Sequence, residues 1–175
     1  AQYLKLCRKR NQRMSGKTEL NDLRLLVKSK NPIITIETHE ENRAVELVTQ
    51  LAIHFNKPVF GWDRVDGITR VDLAHDLAEV EDSKFPLDAL KYIKSVQRPG
   101  IFILCDFHPY FENEPKIVRL IKEIAIDHHK KSHTLVFVSH KIDLPAEVKR
   151  FSAKFQLALP SGNQLEKLVR EEASV

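Results

Sequence analysis

No stretch of this sequence approaches the roughly 18 consecutive apolar residues that a membrane-spanning helix needs, so no membrane role is expected. The opening residues, AQYLKLCRKRNQR, are basic and have no apolar centre, so they do not read as a secretory signal. The chain holds only two cysteines, Cys7 and Cys105, too few and too far apart for a disulfide framework or a zinc site. Cys105 lies inside an apolar run and reads as a small buried side chain. A reducing compartment is the default for such a chain. Met14 is the only methionine, and a start there would leave residues 1–13 outside the domain.

Composition does not point to disorder. Hydrophobic residues make up 42% and charged residues 30% of 175 residues, enough apolar side chain for one domain with a core. The net charge of +4 is unevenly spread. Residues 1–30 carry nine Lys or Arg against two acids, so the rest of the chain is net acidic. Residues 1–18 read as a basic leader, disordered or foreign to the domain. An arm that grips nucleic acid or an acidic partner is the alternative, though charge alone gives no base contacts.

Hydrophobic spacing lays out alternating elements. Residues 19–30 put Leu20, Leu23, Leu26 and Val27 on one helical face, and Asn31-Pro32 stops that helix. The β-branched run 33–37 (IITIE) suits a strand covered on both faces. A helix follows from Thr38 to about Asn56, with Ala44, Val48, Leu51, Ala52 and Phe55 inward. Further strands are expected at 59–62, 101–105, 134–138 and 154–159. Helices are expected at 87–97 and 115–131, with a weak acidic one at 71–81. A helical turn is expected near 145–150, and a last helix from Ser161. Asp66-Gly67 suggests a turn. The fold class is therefore α/β, a three-layer sandwich with a five-stranded, mostly parallel sheet.

The first strand–helix junction lacks what a phosphate-binding turn uses. Such a turn is glycine-rich and ends in Gly-Lys-Ser/Thr, whose backbone N–H groups and lysine hold the phosphates. Here the junction reads Glu37-Thr38-His39-Glu40-Glu41, with no glycine, no lysine and three carboxylates. Thr38 and Glu41 have the spacing of a capping box, which would satisfy the first N–H groups internally. Ser15-Gly16-Lys17-Thr18 does contain Gly-Lys-Thr, but Asn11 stands where the motif's first glycine belongs and no strand precedes it.

The second half of the chain carries a resemblance. HTLVFVSHKIDLPAEVKRFSAKFQLALPSGNQLEKLV resembles the sensor-1 region of AAA ATPases, and GIFILCDFHPYF resembles a Walker B strand with Asp106 at the metal-ligand position. The span from NPIITIETHEENRAVEL through FILCDFHPYF is similar to the N-terminal domain of the divergent AAA ATPases of cyanobacteria and algal plastids, the plastid reading-frame family. The likeness covers roughly residues 19–172. It implies a degenerate P-loop NTPase-like core with spatial strand order 5-1-4-3-2 over residues 19–160. It also implies that residues 161–175 begin a lid or linker helix, and that an intact ATPase domain follows. ATP and Mg²⁺ would belong to the full-length protein and no cofactor to this chain. The implied location is the cytoplasm or plastid stroma.

Departures from the family pattern define the candidate residues. Phe107 stands where the resemblance places a catalytic glutamate, and His140 where it places the sensor asparagine. Arg150 is the nearest candidate for an arginine finger and reads as a surface charge. Glu37, Thr38, Glu41, Asp106 and His140 are thus marked as positions of a lost nucleotide site, with Asp106 expected to bond nearby loop amides. Phe107, His108, Tyr110 and Phe111, with Pro109, form a candidate partner surface, with Tyr110 the ring most expected to be exposed. Trp62 reads equally as core or interface. His39, His108 and His140 could share an edge with Glu37, Glu40 and Asp106, yet no spacing demands a metal, and none is assigned. His128-His129-Lys130-Lys131-Ser132-His133 suits a helix C-terminus.

The functional expectation is a non-catalytic module for scaffolding, oligomerisation or regulation. Its partners would be the ATPase domain of the same polypeptide, neighbouring subunits or a regulatory protein. The alternatives are an ATPase with a non-standard site built on Asp106, His140 and the 38–41 turn, and a nucleic-acid adaptor acting through residues 1–30.

Overall fold

The β-branched and aromatic runs form the middle of one sheet, and the amphipathic segments close over both its faces. The computed structural model describes residues 18–72, 80 and 82–158. The basic leader, the Ser15-Gly16-Lys17 segment, most of the acidic stretch 71–81 and the helix from Ser161 fall outside these residues.

Helix α1 (18–28) ends where the side chain of Asn31 donates to the carbonyl of Leu26, and Pro32 forbids continuation. Strand β1 (Ile33–Glu37) leads through three residues into α2 (Glu41–Phe55), which ends on Asn56 in the left-handed conformation. Strands β2 (Val59–Asp63) and β3 (Gly67–Arg70) form a hairpin, followed by α3 (Pro86–Ser95). Strand β4 (Ile101–Cys105) runs into a 3₁₀ turn at His108–Tyr110 and then α4 (Pro115–Ile126) and α5 (His128–Lys131). Strand β5 (Thr134–Ser139), α6 (Ala146–Lys149) and β6 (Ser152–Phe155) complete the described chain.

The sheet order is β3-β2-β4-β5-β1-β6, parallel throughout except for the β2–β3 pair. The five expected strands stand in the order the resemblance implies, and β3 adds a sixth at one edge. The signal for β3 was the Asp66-Gly67 turn, which proves to be the bend of a hairpin. Asp63 Oδ1 accepts from the N–H groups of Val65 and Asp66, and Gly67 takes φ 74°. A side chain at Gly67 would also meet Ser83 Oγ at 2.6 Å.

Alternation along the strands divides the core. Phe102, Leu104, Leu135 and Phe137 face α3 and α4, where Leu90, Ile93, Ile117, Ile121 and Ile124 pack. Ile34, Ile36, Ile101, Ile103, Val136 and Val138 face α1 and α2, meeting Leu23, Val48 and Leu51. These are the three layers expected. Trp62 belongs to the core, 2% exposed, with its indole N–H donating to the carbonyl of Ser83.

Three expected boundaries move. The helix expected over 115–131 breaks at Asp127, so α4 and α5 are separate. The helix expected from Thr38 starts at Glu41. The last strand sits at 152–155 rather than 154–159. Parallel pairing with β1 sets it, from Ile33 opposite Ser152 to Ile36 opposite Phe155. Beyond that register the chain leaves the sheet. At Ala158 its N–H donates to Glu19 and its carbonyl accepts from Arg43.

Candidate functional site

The C-terminal ends of the parallel strands gather most of the polar candidates, as open α/β sheets dictate. β1 delivers Glu37, β2 Asp63, β4 Cys105 and the following Asp106, and β5 Ser139.

At the β1–α2 junction the capping box does not form. Thr38 uses its N–H on the carbonyl of Ser139, extending the sheet by one bond, and its hydroxyl accepts from the N–H of Glu40. That local turn delays the helix to Glu41, and α2 has no side-chain cap. What stands at the helix mouth is acid. The carboxylate of Glu40 pairs with Arg43 at 3.0 Å, and Arg43 also holds Glu19 at 2.8 Å. Glu41 stands beside the Cys105 thiol. Partial burial, then the charges of Asp106 and Asp63, raise its carboxyl above the ordinary value. Glu37 faces elsewhere. Its carboxylate accepts from Lys154 at 2.6 Å and from the N–H of Ile142 at 3.1 Å, which lowers its pKa.

Asp106 is exposed and takes the left-handed conformation, φ 50°. Its side-chain partner is the hydroxyl of Ser139 at 3.1 Å, not the expected loop amides. That same hydroxyl lies 2.8 Å from His108 Nδ1. Because its one hydrogen goes to Asp106, the imidazole must be the donor there. A chain of donors therefore runs from His108 through Ser139 to Asp106. The rings of His108 and His140 meet edge-on with centroids 5.0 Å apart, and His140 stacks on His39 at 6.0 Å. The three histidines expected on one edge are thus neighbours. No cluster among the described residues has the arrangement of a metal site.

Neither nucleophile here is prepared for attack. Burial, then the charge of Glu41, pushes the Cys105 thiol up to about 12, so it stays protonated. Ser139 is 4% exposed and hydrogen-bonded to a donating imidazole, the reverse of the polarity a general base requires.

The aromatic loop after β4 needs correction as a surface. Phe107 and Phe111 are 1% and 6% exposed and pack against each other and Phe137, with Phe107 also against Trp62. A buried ring thus stands where the resemblance places a catalytic carboxylate. Between residues 107 and 112 only Pro109 and Glu112 are exposed, with His108 and Tyr110 half-buried. Arg150 lies before β6, at the opposite edge of the sheet, with its guanidinium over the Phe151 ring. Two members of the edge were missed in the sequence. Ser139 fell just past the strand expected at 134–138, and Asp63 just past the one expected at 59–62. The signal available was their place as the polar residues closing β5 and β2.

The sheet order, the layering and the acid closing the strand next to β5 define a core of the AAA type, in the P-loop NTPase-like class. In structure the chain resembles chains of Drosophila ORC bound to GC-rich DNA and Cdc6, with TM-score 0.50 and 14% identity over 93% of this chain and 32% of that one. A second complex, Drosophila ORC bound to poly(dA/dT) DNA and Cdc6, gives TM-score 0.51 and 15% identity over 91% and 31%. At such identity the likeness concerns the fold alone.

The chain belongs to the family of SpoVK-like AAA ATPase N-terminal domains, which matches residues 19–157. It is similar to the AAA domain-containing protein ycf46 of Pyropia yezoensis, 32% identical over 83% of this chain and 29% of the relative. The ycf46 protein of Guillardia theta is 29% identical over 89% and 31%. The chain thus spans about a third of the length of these relatives. The kinship expected with plastid reading-frame AAA proteins holds. Among the described residues no helix is long and apolar enough to cross a membrane.

Proposed function

We propose that this AAA-type N-terminal domain neither binds nor hydrolyses nucleotide and works as a positional module, docking on an ATPase domain of its own polypeptide or on a neighbouring subunit. The observation that carries this reading is the β1–α2 junction. Only Thr38, His39 and Glu40 join the strand to the helix, too few to wrap a phosphate. No lysine or glycine lies within it, and Glu40 and Glu41 stand at the helix mouth.

A helix N-terminus attracts anions through its unpartnered N–H groups. Two carboxylates, Glu40 at the N-cap and Glu41 in the first turn, with Asp106 and Asp63 close enough to raise the pKa of Glu41, oppose a triphosphate at that point. The capping box first expected there is not the reason; charge and chain length are. The residues present therefore do not fit ATP and Mg²⁺, and no reaction step is assigned to them. Phe107 in place of a glutamate removes the carboxylate that would activate water. With chemistry absent, the domain's contribution is geometric.

Titration of the domain with a fluorescent ATP analogue and Mg²⁺ tests the reading. Without phosphate contacts the affinity should be no better than about 1 mM, or about −4 kcal/mol. Saturable binding at micromolar concentrations, lost on adding unlabelled ATP, would replace the positional reading with that of an ATPase using a non-standard site.

A further inference from the structure

The edge of the sheet opposite the acidic junction carries a groove of about 750 Å³, built where the N-terminal ends of the strands meet the helix exits. Lys30 and Pro32 come from the α1–β1 turn, Ile126 and His129 from the end of α4 and from α5, and Arg150 and Phe151 from the α6–β6 turn. No carboxylate lines it among the described residues. Lys30 and Arg150 form no salt bridge with an acid among those residues, so their charge is open to a partner.

The two cations are held differently. Arg150 rests over the Phe151 ring, 4.6 Å from its centroid, so its planar donors are oriented before any partner arrives. Lys30 sits at φ 59°, in a turn fixed by Asn31. His129 donates from Nδ1 to the carbonyl of Ile126, which keeps the ring against the end of α4. Between these polar groups lies Ile126, 44% exposed and among the few large apolar side chains the domain leaves open. Ile126 gives this concave surface an apolar floor, and Lys30 and Arg150 give it a cationic rim.

We propose that this groove docks an acidic peptide segment that inserts one large apolar side chain over Ile126 while its carboxylates meet Arg150 and Lys30. Nucleic acid fits the same charge less well. Single strands need open aromatic faces for stacking, whereas Phe151 is covered by the Arg150 guanidinium and the rings of His128 and His129 are tied to the carbonyls of His133 and Ile126. Phosphate contacts would also leave Ile126 without a partner. The proposal concerns a different edge from the nucleotide question and stands whichever way that is answered.

The test is fluorescence anisotropy of the whole chain against two probes at low and at physiological salt. One is a fluorescein-labelled peptide of about a dozen Asp and Glu residues around a central Phe-Leu pair; the other is a labelled oligothymidylate of about 20 nucleotides. The peptide should bind. The double variant Arg150→Glu, Lys30→Glu should weaken it by about tenfold or more, charge reversal at a docking rim being costly. Ile126→Ser should weaken it several-fold at unchanged charge, and Ile126→Leu should restore it. All these residues are exposed, so the variants should keep the parent far-UV spectrum. Reversal of two exposed lysines elsewhere, Lys116→Glu with Lys84→Glu, makes the same change in net charge and is the control. Equal loss in that control, indifference to Ile126→Ser, or tighter binding of the oligonucleotide through the same residues would each overturn the proposal.

Discussion

At the scale of single residues, the decisive group is Glu41. Its carboxyl sits above the ordinary 4.5 because the folded chain partly strips its water and places Asp106 and Asp63 nearby. A carboxyl with a raised folded-state pKa holds its proton better folded than unfolded. Stability is therefore lost as the pH rises through that raised value, and at neutral pH the charge opposes folding. Glu41→Gln should accordingly raise Tm at pH 7. The gain should fade on acidification below 4.5, where the carboxyl is protonated in both states; a loss of Tm at pH 7 would contradict this. Cys105 gives an independent check of the same microenvironment. With its thiol at about 12 and only 8% exposed, it should resist alkylation by iodoacetamide at pH 8 in the native domain and react promptly in denaturant. Peptide mass spectrometry reads the difference.

At the scale of elements, the aromatic turn after β4 is a plug rather than a docking patch. Phe107 closes the core between Trp62, Phe111 and Phe137. Phe107→Ala should cost about 3–5 kcal/mol in denaturant unfolding, whereas Tyr110→Ala, at a half-buried ring, should cost clearly less. Comparable losses would place both rings in the core. The sequence could not separate the two. A run of Phe, Pro, Tyr and Phe after a strand has no period, and burial there depends on α4 folding back. Regular elements were easier to read. The continuous apolar run Ile101–Cys105 encodes a strand covered on both faces, and the helical spacing of Leu20, Leu23 and Val27 encodes a helix covered on one. The junction at 38–41 was misread because Thr38 and Glu41 have capping-box spacing, while the backbone spends the threonine hydroxyl on a local turn to Glu40. Strand β6 was placed two residues late because register with β1, and not hydrophobicity, decides where a parallel edge strand begins.

At the scale of the whole molecule, the sheet separates charge. Glu40, Glu41, Asp63 and Asp106 gather at one edge, while Lys30, His129 and Arg150 line the other. The sequence reading placed Glu37, Glu40 and Asp106 on one edge, but the basic one, built from residues far apart in the chain, appears only once β1, β4 and β5 lie parallel. The candidate site was legible in part. Glu37, Glu41, Asp106 and His140 do reach one edge, but Glu37 turns away to Lys154, and the hydroxyl of Ser139 links Asp106 to His108. The account's central claim is that an acidic, three-residue junction cannot seat a triphosphate. Crystals of the domain grown with millimolar MgATP test it most directly. The account predicts no nucleotide density against the N–H groups of residues 38–41; β- and γ-phosphates resting on those groups would contradict it.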